Sequence, residues 1–340
     1  MSENGDNMSW KNRKVLITGA DGFIGSHLAE RLVSLGADVT ALALYNSFDA
    51  AGWLDDANQE TRSALRIVRG DVRDPHQMAA LCKGQDVVFH LAALIAIPYS
   101  YDAPSSYVQT NVQGTVNVLQ GALAGGVSRV VHTSTSEVYG TALFTPITED
   151  HPLQGQSPYS ASKIGADMIA ESFARSFELP VVTLRPFNTY GPRQSERAVI
   201  STVIRQALDD RCDAIRVGDL TPTRDFNFVG DTVEAFLAAA GLDASHTGQT
   251  FNAGSGRMVS IGDMLDMVRA VTGCEKATIQ EDHRKRPAGS EVLTLLADAA
   301  RLTAASGWTS KVDLEQGIER TVDWWRGRLD RVRADSGYMV

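Results

Sequence analysis

The chain has 340 residues, of which 43% are hydrophobic and 21% charged, with a formal net charge of -9. That length allows one large soluble domain or two unequal ones. The acidic balance argues against a nucleic-acid surface, which needs clustered cations, and no apolar run approaches the roughly 20 residues of a membrane span.

Cys82, Cys212 and Cys274 are far apart and outside any CxxC spacing. Neither a disulfide framework nor a metal site is expected from them, and packed thiols in a reducing, cytoplasmic compartment fit. Residues 1–12 are polar, lack the apolar core of a signal peptide, and read as a disordered tail.

Val15-Leu16-Ile17 is a short apolar strand, followed at once by Thr18-Gly19-Ala20-Asp21-Gly22-Phe23-Ile24-Gly25 and then by apolar residues at helical spacing (Leu28, Leu32, Leu35). Strand, glycine turn and helix in that order suit a dinucleotide. Gly19 permits the tight turn, Gly22 lets backbone N–H groups approach a pyrophosphate, and Gly25 allows close helix–strand packing. The pyrophosphate then sits at the helix N-terminus.

A second strand is expected over Asp38–Leu44. The stretch after it, Tyr45-Asn46-Ser47, holds neither a carboxylate for a ribose 2′-hydroxyl nor an arginine for a 2′-phosphate. Asn46 is the candidate ribose contact there, and NAD versus NADP stays open. Residues 50–63 read as an insertion anchored by Trp53. Asp71 and Val72, after a third strand, are placed for an adenine edge, with turn capping by Asp71 as the alternative. Val87 to Ala93 is a buried strand ending in Leu91-Ala92-Ala93, small residues that leave room for a ligand over the sheet edge. His90 and His132 read as packed core histidines.

Pro104–Leu123 has the spacing of a long helix. Arg129–His132 is the next strand and delivers Thr133-Ser134-Thr135-Ser136-Glu137-Val138-Tyr139-Gly140. Another helix starts at Ser157-Pro158-Tyr159, and Val181–Arg185 is another strand. This alternation predicts an α/β fold with a doubly wound parallel sheet of Rossmann type and a smaller C-terminal α/β substrate lobe. The dinucleotide-binding domain is expected over 13–188, with part of 225–250 returning to it, and 189–335 is mainly the substrate-binding lobe. Within that lobe the patterns predict helices over Val199–Leu208, over Thr232–Ala240, from Ile261, and over Leu314–Leu329.

Tyr159 and Lys163 are four apart and share one helix face. An ammonium nearby lowers a phenol's pKa, so Tyr159 can accept a hydroxyl proton as hydride leaves the carbon. Thr135 can hydrogen-bond the same carbinol oxygen. In extended geometry Glu137 would project to the same side as Thr135, facing the carbon beside the oxidised one. Oxidation acidifies that C–H, and a carboxylate can remove the proton.

The glycine turn, the Tyr159/Lys163 pair and Arg185-Pro186-Phe187-Asn188-Thr189-Tyr190-Gly191-Pro192 together resemble the extended short-chain dehydrogenase/reductases that act on nucleotide sugars, over nearly the whole chain. Simple 4-epimerases of that family usually lack a glutamate at the position of Glu137, whereas dehydratases and glucuronate decarboxylases carry Thr-Ser-Glu or Thr-Asp-Glu. Ser157 to Lys163 is similar to the 4,6-dehydratases. Leu91 to Tyr101, with Gly155-Gln156-Ser157, looks most like dehydratases of N-acetylglucosamine nucleotides in legionaminic-acid-type pathways.

The resemblance implies a tightly bound NAD or NADP that is regenerated each turnover, a nucleotide-sugar substrate and a homodimer. It implies oxidation at C4 with Tyr159 and Lys163, loss of the C5 proton to Glu137, and departure of the C6 hydroxyl as water. Many relatives have an aspartate where this chain has Ser136, a poor proton donor. Either Ser136 relays through water or Glu137 is both base and acid. Asn188, Arg193, Arg224 and Arg286 are the implied substrate-binding residues, the arginines suiting a diphosphate. A decarboxylase, an epimerase and a dinucleotide-sensing protein without catalysis are the alternatives.

Overall fold

Strand and helix alternate from the start of the computed structural model, which describes residues 9–284 and 294–331. In order come β1 (Lys14–Thr18), α1 (Phe23–Ser34), β2 (Asp38–Leu44), α2 (Gln59–Ala64), β3 (Leu65–Gly70), α3 (Pro75–Cys82) and β4 (Val87–His90). A short α4 (Ile97–Asp102) leads to α5 (Pro104–Tyr107), which runs through a π-turn at Val108–Gln113 into α6 (Gly114–Gly125). Then follow β5 (Arg129–Thr133), α7 (Pro158–Phe177), β6 (Val181–Pro186), β7 (Thr189–Tyr190), α8 (Val199–Leu208), β8 (Ala214–Val217), β9 (Thr223–Asp225) and β10 (Asn227–Phe228). The chain continues with α9 (Val229–Ala240), β11 (Thr250–Ala253), β12 (Met258–Ser260), α10 (Ile261–Thr272), β13 (Ala277–Gln280), β14 (Thr294–Leu295), α11 (Ala300–Ser306) and α12 (Leu314–Arg326).

Seven parallel strands form the main sheet in the order β3-β2-β1-β4-β5-β6-β11. The order reverses between β1 and β4, which opens a crevice beyond the strands' C-terminal ends. Successive strand residues face opposite sides of the sheet. Val15, Ile17, Phe89, Val131 and Leu184 pack into one core with Leu28 of α1 and Phe236 of α9. Leu16, Val88, Val130 and Val181 pack into the other with Met78, Leu119 and Phe173 of α3, α6 and α7. Apolar side chains on both faces are why these strands read as continuous apolar runs.

The C-terminal lobe has its own core, built by α8, α10 and α12 around Ile204, Met264, Leu265, Ile318 and Trp325. Between its elements, α9 and β11 return to the main sheet. Phe236 stacks edge-on against Phe89 at 6.3 Å, and β11 pairs with β6 as the edge strand. The insertion after β2 docks on the lobe: Trp53 meets Trp324 at 5.5 Å, and Arg328 pairs with Asp56 at 3.2 Å. No helix among the described residues is long and apolar enough to cross a membrane.

A polar seam runs through the middle of this apolar sheet. The N–H of Ala92 donates to Thr18 Oγ1 (3.2 Å), which lies 2.8 Å from His90 Nδ1. His90 Nε2 lies 3.0 Å from Thr115 Oγ1, whose hydroxyl donates to the Asn111 carbonyl (2.6 Å). Because the Thr115 proton is committed to that carbonyl, His90 donates from Nε2, and burial of the ring favours the neutral imidazole, which accepts at Nδ1. His132 stacks on His90 at 5.8 Å and donates from Nε2 to Asp167 (3.1 Å). Both are packed core histidines, as expected.

Burial holds His90 well below the ordinary 6.5, with the charges of His132 and Lys163 adding to it. Burial also lowers His132, against the opposing pull of Asp167. Folded values below the unfolded one mean the stabilising contribution is complete above about 6.5 and is lost as the pH falls. Below that, the unfolded chain takes up protons that the sheet excludes. Denaturant titrations near pH 7.5 and pH 5 should show stability dropping by about 1.4 kcal/mol per pH unit for each excluded proton. The drop should be shallower in His90→Gln; an unchanged slope would show that His90 carries none of it.

Candidate active site

The glycine turn at the end of β1 is shaped for a ligand that approaches the backbone. Gly19 has φ +69°, and a Cβ there would lie 2.8 Å from the Ala92 nitrogen. A Cβ on Gly25 would lie 2.1 Å from the Gly19 carbonyl oxygen, so α1 packs on β1 as only glycine allows. Gly22 is the N-cap of α1, gives it no side-chain cap, and no acidic residue occupies the first turn. The unpaired N–H groups and the positive helix end are therefore left for an anion. Leu91 continues β4 by donating from its N–H to the Thr18 carbonyl (3.1 Å), which brings Leu91, Ala92 and Ala93 beside the turn. These residues fit a dinucleotide.

The outer cofactor candidates are engaged with their own loops. Asn46 donates to the Ala50 carbonyl (2.8 Å) and accepts from the N–H groups of Phe48 and Ala50 (both 3.1 Å). The Asp71 carboxylate is paired with Arg73 at 2.5 Å, which holds it below the usual carboxylate range. Val72 is buried, and its carbonyl accepts from Asn117 (2.9 Å). Phe23 and Ile24 face the core of the C-terminal lobe.

The reacting residues converge where the C-terminal end of β5 meets the first turns of α7. Ser157 starts α7 with a reciprocal cap: its side chain accepts from the Ser160 N–H (3.1 Å) while Ser160 accepts from the Ser157 N–H (3.0 Å). Tyr159 and Lys163 are both buried one turn apart. Tyr159 is hydrogen-bonded to Thr135 and lies within electrostatic reach of Glu137. Lys163 Nζ donates to the Thr133 carbonyl (2.6 Å). Burial raises the Tyr159 phenol, the Thr135 hydrogen bond opposes that, and the charge of Glu137 adds to it. Burial also brings Lys163 down to about 8, with the Asp167 carboxylate pulling it back up.

The extended geometry expected for Glu137 does not hold. Ser136–Tyr139 is a 3-10 turn, and Thr135 Oγ1 caps it by accepting from the Glu137 N–H (3.2 Å). The capping hydroxyl curls the chain as soon as β5 ends. With about three residues per turn, neighbouring side chains point roughly 120° apart. Ser136 is buried and Glu137 half-buried, so the two face different surroundings.

Two contributions were not visible in the sequence. Asn111, inside the π-turn, accepts from the Leu94 N–H (2.8 Å) and donates to the Leu94 carbonyl and to Ser162 (both 2.9 Å). Ser162 in turn donates to the Tyr159 carbonyl (2.7 Å). The loop after β4 is thereby tied to the helix that carries Tyr159, and Tyr107 packs edge-on against the Tyr159 ring at 6.3 Å. The second contribution is Asp167, two turns beyond Tyr159 on the same helix stripe. Spacing of four and eight residues was the available signal.

Of the substrate candidates, Asn188 donates to the Asp225 carbonyl (3.4 Å) and Arg224, nearly buried, donates to the Thr223 carbonyl (3.0 Å). Arg193 turns back to α1, pairing with Glu30 at 2.6 Å and donating to Ser26 at 3.2 Å. Arg286 lies outside the described residues.

Residues 16–321 match the family model described as GDP-mannose 4,6 dehydratase. A UDP-glucose 4-epimerase of Mycolicibacterium smegmatis is 33% identical over 320 residues, covering 93% of this chain and 99% of that protein. A dTDP-glucose 4,6-dehydratase of Streptomyces griseus is 33% identical over 316 residues, covering 92% and 93%. A solved structure of MoeE5 in complex with UDP-glucose and NAD is 32% identical, with a TM-score of 0.81 over 93% of this chain and 99% of that one. Sheet order, glycine turn and the Thr135–Tyr159–Lys163 cluster agree with that match, and the chain belongs to the GDP-mannose 4,6 dehydratase family of nucleotide-sugar enzymes.

Proposed function

We propose that the chain is a nucleotide-sugar 4,6-dehydratase using NAD or NADP, with UDP- or GDP-N-acetylglucosamine or a related hexose nucleotide as substrate. The observation that carries this reading is a carboxylate, Glu137, held within electrostatic reach of the Thr135–Tyr159 hydrogen bond. The glycine turn, the open end of α1 and Leu91 to Ala93 would hold the dinucleotide. Bound there, the dinucleotide would supply the acceptor for a hydride from C4 of the sugar and the donor that gives it to C6.

Tyr159 accepts the C4 hydroxyl proton, and Thr135 holds the same oxygen. The ketone at C4 acidifies the C5–H bond, and Glu137 takes that proton. The C6–O bond breaks as its electrons leave with the hydroxyl, which departs as water with a proton from Glu137. Ser136 lies roughly a third of a turn away from Glu137 and is buried, which supports Glu137 as both base and acid. Asn188 and Arg224 at the lobe boundary would meet the diphosphate.

The Mycolicibacterium relative favours a second reading, 4-epimerisation, which shares the oxidation at C4 but has no use for Glu137. Incubation with UDP- and GDP-N-acetylglucosamine and with UDP-glucuronate, followed by mass spectrometry, separates the readings. Loss of one water is expected; loss of carbon dioxide would mean a decarboxylase, and an isomer of unchanged mass an epimerase. Glu137→Gln should slow C5–H exchange with solvent by roughly 10²–10⁴-fold, and exchange at the native rate would remove Glu137 as the base.

We propose a homodimer built on the outer surfaces of the long helices. Val108, in the π-turn, and Met168 and Phe177, on α7, are 55%, 46% and 54% exposed, and α6 packs directly against α7. Paired across a two-fold axis, these side chains would leave water. Light scattering should give twice the chain mass, and Met168→Glu should halve it; a wild-type monomer would refute the assembly. The free thiols Cys82, Cys212 and Cys274 support a cytoplasmic setting.

A further inference from the structure

Asp167 is fully enclosed and receives donors from two strands. Ser134 Oγ donates to its Oδ2 at 2.7 Å, and His132 Nε2 donates to Oδ1 at 3.1 Å. From β6, Arg185 donates twice to Oδ2, from Nη2 at 2.9 Å and Nε at 3.2 Å. Arg185 is itself held by Tyr139, its Nη1 donating to the hydroxyl at 2.9 Å. Tyr139 donates on to Asn252 at the sheet edge (2.7 Å). None of this touches a substrate. Yet His132 and Ser134 flank Thr133, whose carbonyl receives Lys163, and Thr135 follows immediately.

We infer that Asp167 is a positioning residue: it pins the end of β5 to α7 and supplies the counter-charge for the Lys163 ammonium. The inference rests on the oxidation chemistry proposed for Tyr159 and Lys163. Two facts beyond the hydrogen bonds support it. Lys163 stands one turn from Asp167 on α7, the spacing that brings side chains together. Among the described residues, the Asp167 charge also acts on the enclosed Lys163 to keep its proton. Burial pushes the Asp167 carboxyl up, but the His132 hydrogen bond and the charges of Arg185 and Lys163 outweigh it and leave the group anionic.

The other groups around Lys163 and Asp167 are few. From β5 there is His132, kept neutral, and from β4 His90, also neutral. From β6 there is Arg185, with Tyr139 on it. From α7 there is Tyr159, with Glu137 of the 3-10 turn acting on the phenol. Lys163 and Arg185 therefore share one carboxylate. Removing the carboxylate and removing the competing guanidinium should move Lys163 in opposite directions, which a purely structural role would not do.

The test uses the full chain with 13Cε-labelled lysine, the Lys163 signal being assigned by its loss in Lys163→Met. In the wild type the signal should titrate near 8. In Asp167→Asn the midpoint should fall by about 1–2 pH units, and the alkaline limb of kcat on the nucleotide sugar that the wild type turns over should fall with it. In Arg185→Gln, which leaves Asp167 hydrogen-bonded to Ser134 and His132 and acting through its charge on Lys163, both should rise. A midpoint that stays put in both variants, or moves the same way in both, overturns the inference even where activity is lost. Should Asp167→Asn fail to fold, Arg185→Gln alone decides: an alkaline shift supports the inference, and no shift or an acid shift overturns it. Opposite shifts of the NMR midpoint in a wild type that turns over no nucleotide sugar would uphold the Asp167–Lys163 link and refute the proposed reaction instead.

Discussion

The Lys163 ammonium lies 2.6 Å from the Thr133 carbonyl, with a buried tyrosine one turn before it on the helix and a buried carboxylate one turn after. An ammonium enclosed in this way is unstable unless its donors and its charge are both answered. The carbonyl at the end of β5 answers one donor, and Asp167 answers the charge. The same contact joins the end of β5, with Thr135 two residues beyond it, to α7, which carries Tyr159. The sheet order then has a clear role. It places β4 next to β5 and β1 next to β4, so that the glycine turn and the Leu91 to Ala93 segment open onto the same edge.

The C-terminal lobe is joined to that edge at several separate places. Arg193 reaches Glu30 and Ser26 on α1, the helix whose first turn is left open for an anion. On the far side, Trp53 packs on Trp324 while its N–H donates to the Asp21 carbonyl (3.0 Å) inside the glycine turn. The Asp21 carboxylate in turn accepts from the Leu44 N–H at the end of β2 (3.1 Å). A movement of α12 would therefore be felt at the glycine turn through Trp53. Between these ties, α9 and β11 are covalent crossings that bring the chain back into the sheet. Such a set of links ties the lobe to the sheet at several separate points.

Most of this was legible in the sequence because strands buried on both faces are mostly apolar, and two of the helices between them, α3 and α7, are capped by Asp74 and Ser157. The glycine turn, Tyr159/Lys163 and the start of α7 at Ser157-Pro158 were readable for that reason. What escaped was polar and buried. Thr18, Thr115, Asn111 and Asp167 look like ordinary surface residues in a helix or strand pattern, and only tertiary neighbours reveal their enclosure. Asp167 needs His132 and Ser134 from one strand and Arg185 from another. The bend at Glu137 was missed for a related reason: Thr135 can continue a strand or cap a turn with equal ease, and its side chain settles the matter by accepting from the Glu137 N–H. Two-residue strands such as β7 and β10 carry too little pattern to be read at all.

Ser136 can be weighed by proton balance. The proposed reaction removes two protons from the sugar, one from the C4 hydroxyl and one from C5. It needs two back, one for the departing C6 hydroxyl and one for C5 once the double bond is reduced. Two groups that each take and return a proton are sufficient. Tyr159 is one and Glu137 is the other, standing close enough to influence each other. A third acid at position 136 would add a separate donor for the leaving hydroxyl, relieving Glu137 of a second task, but the overall balance does not require it. With a serine there, the C5 proton on Glu137 passes to the leaving oxygen, and the proton held by Tyr159 is the one left to restore C5.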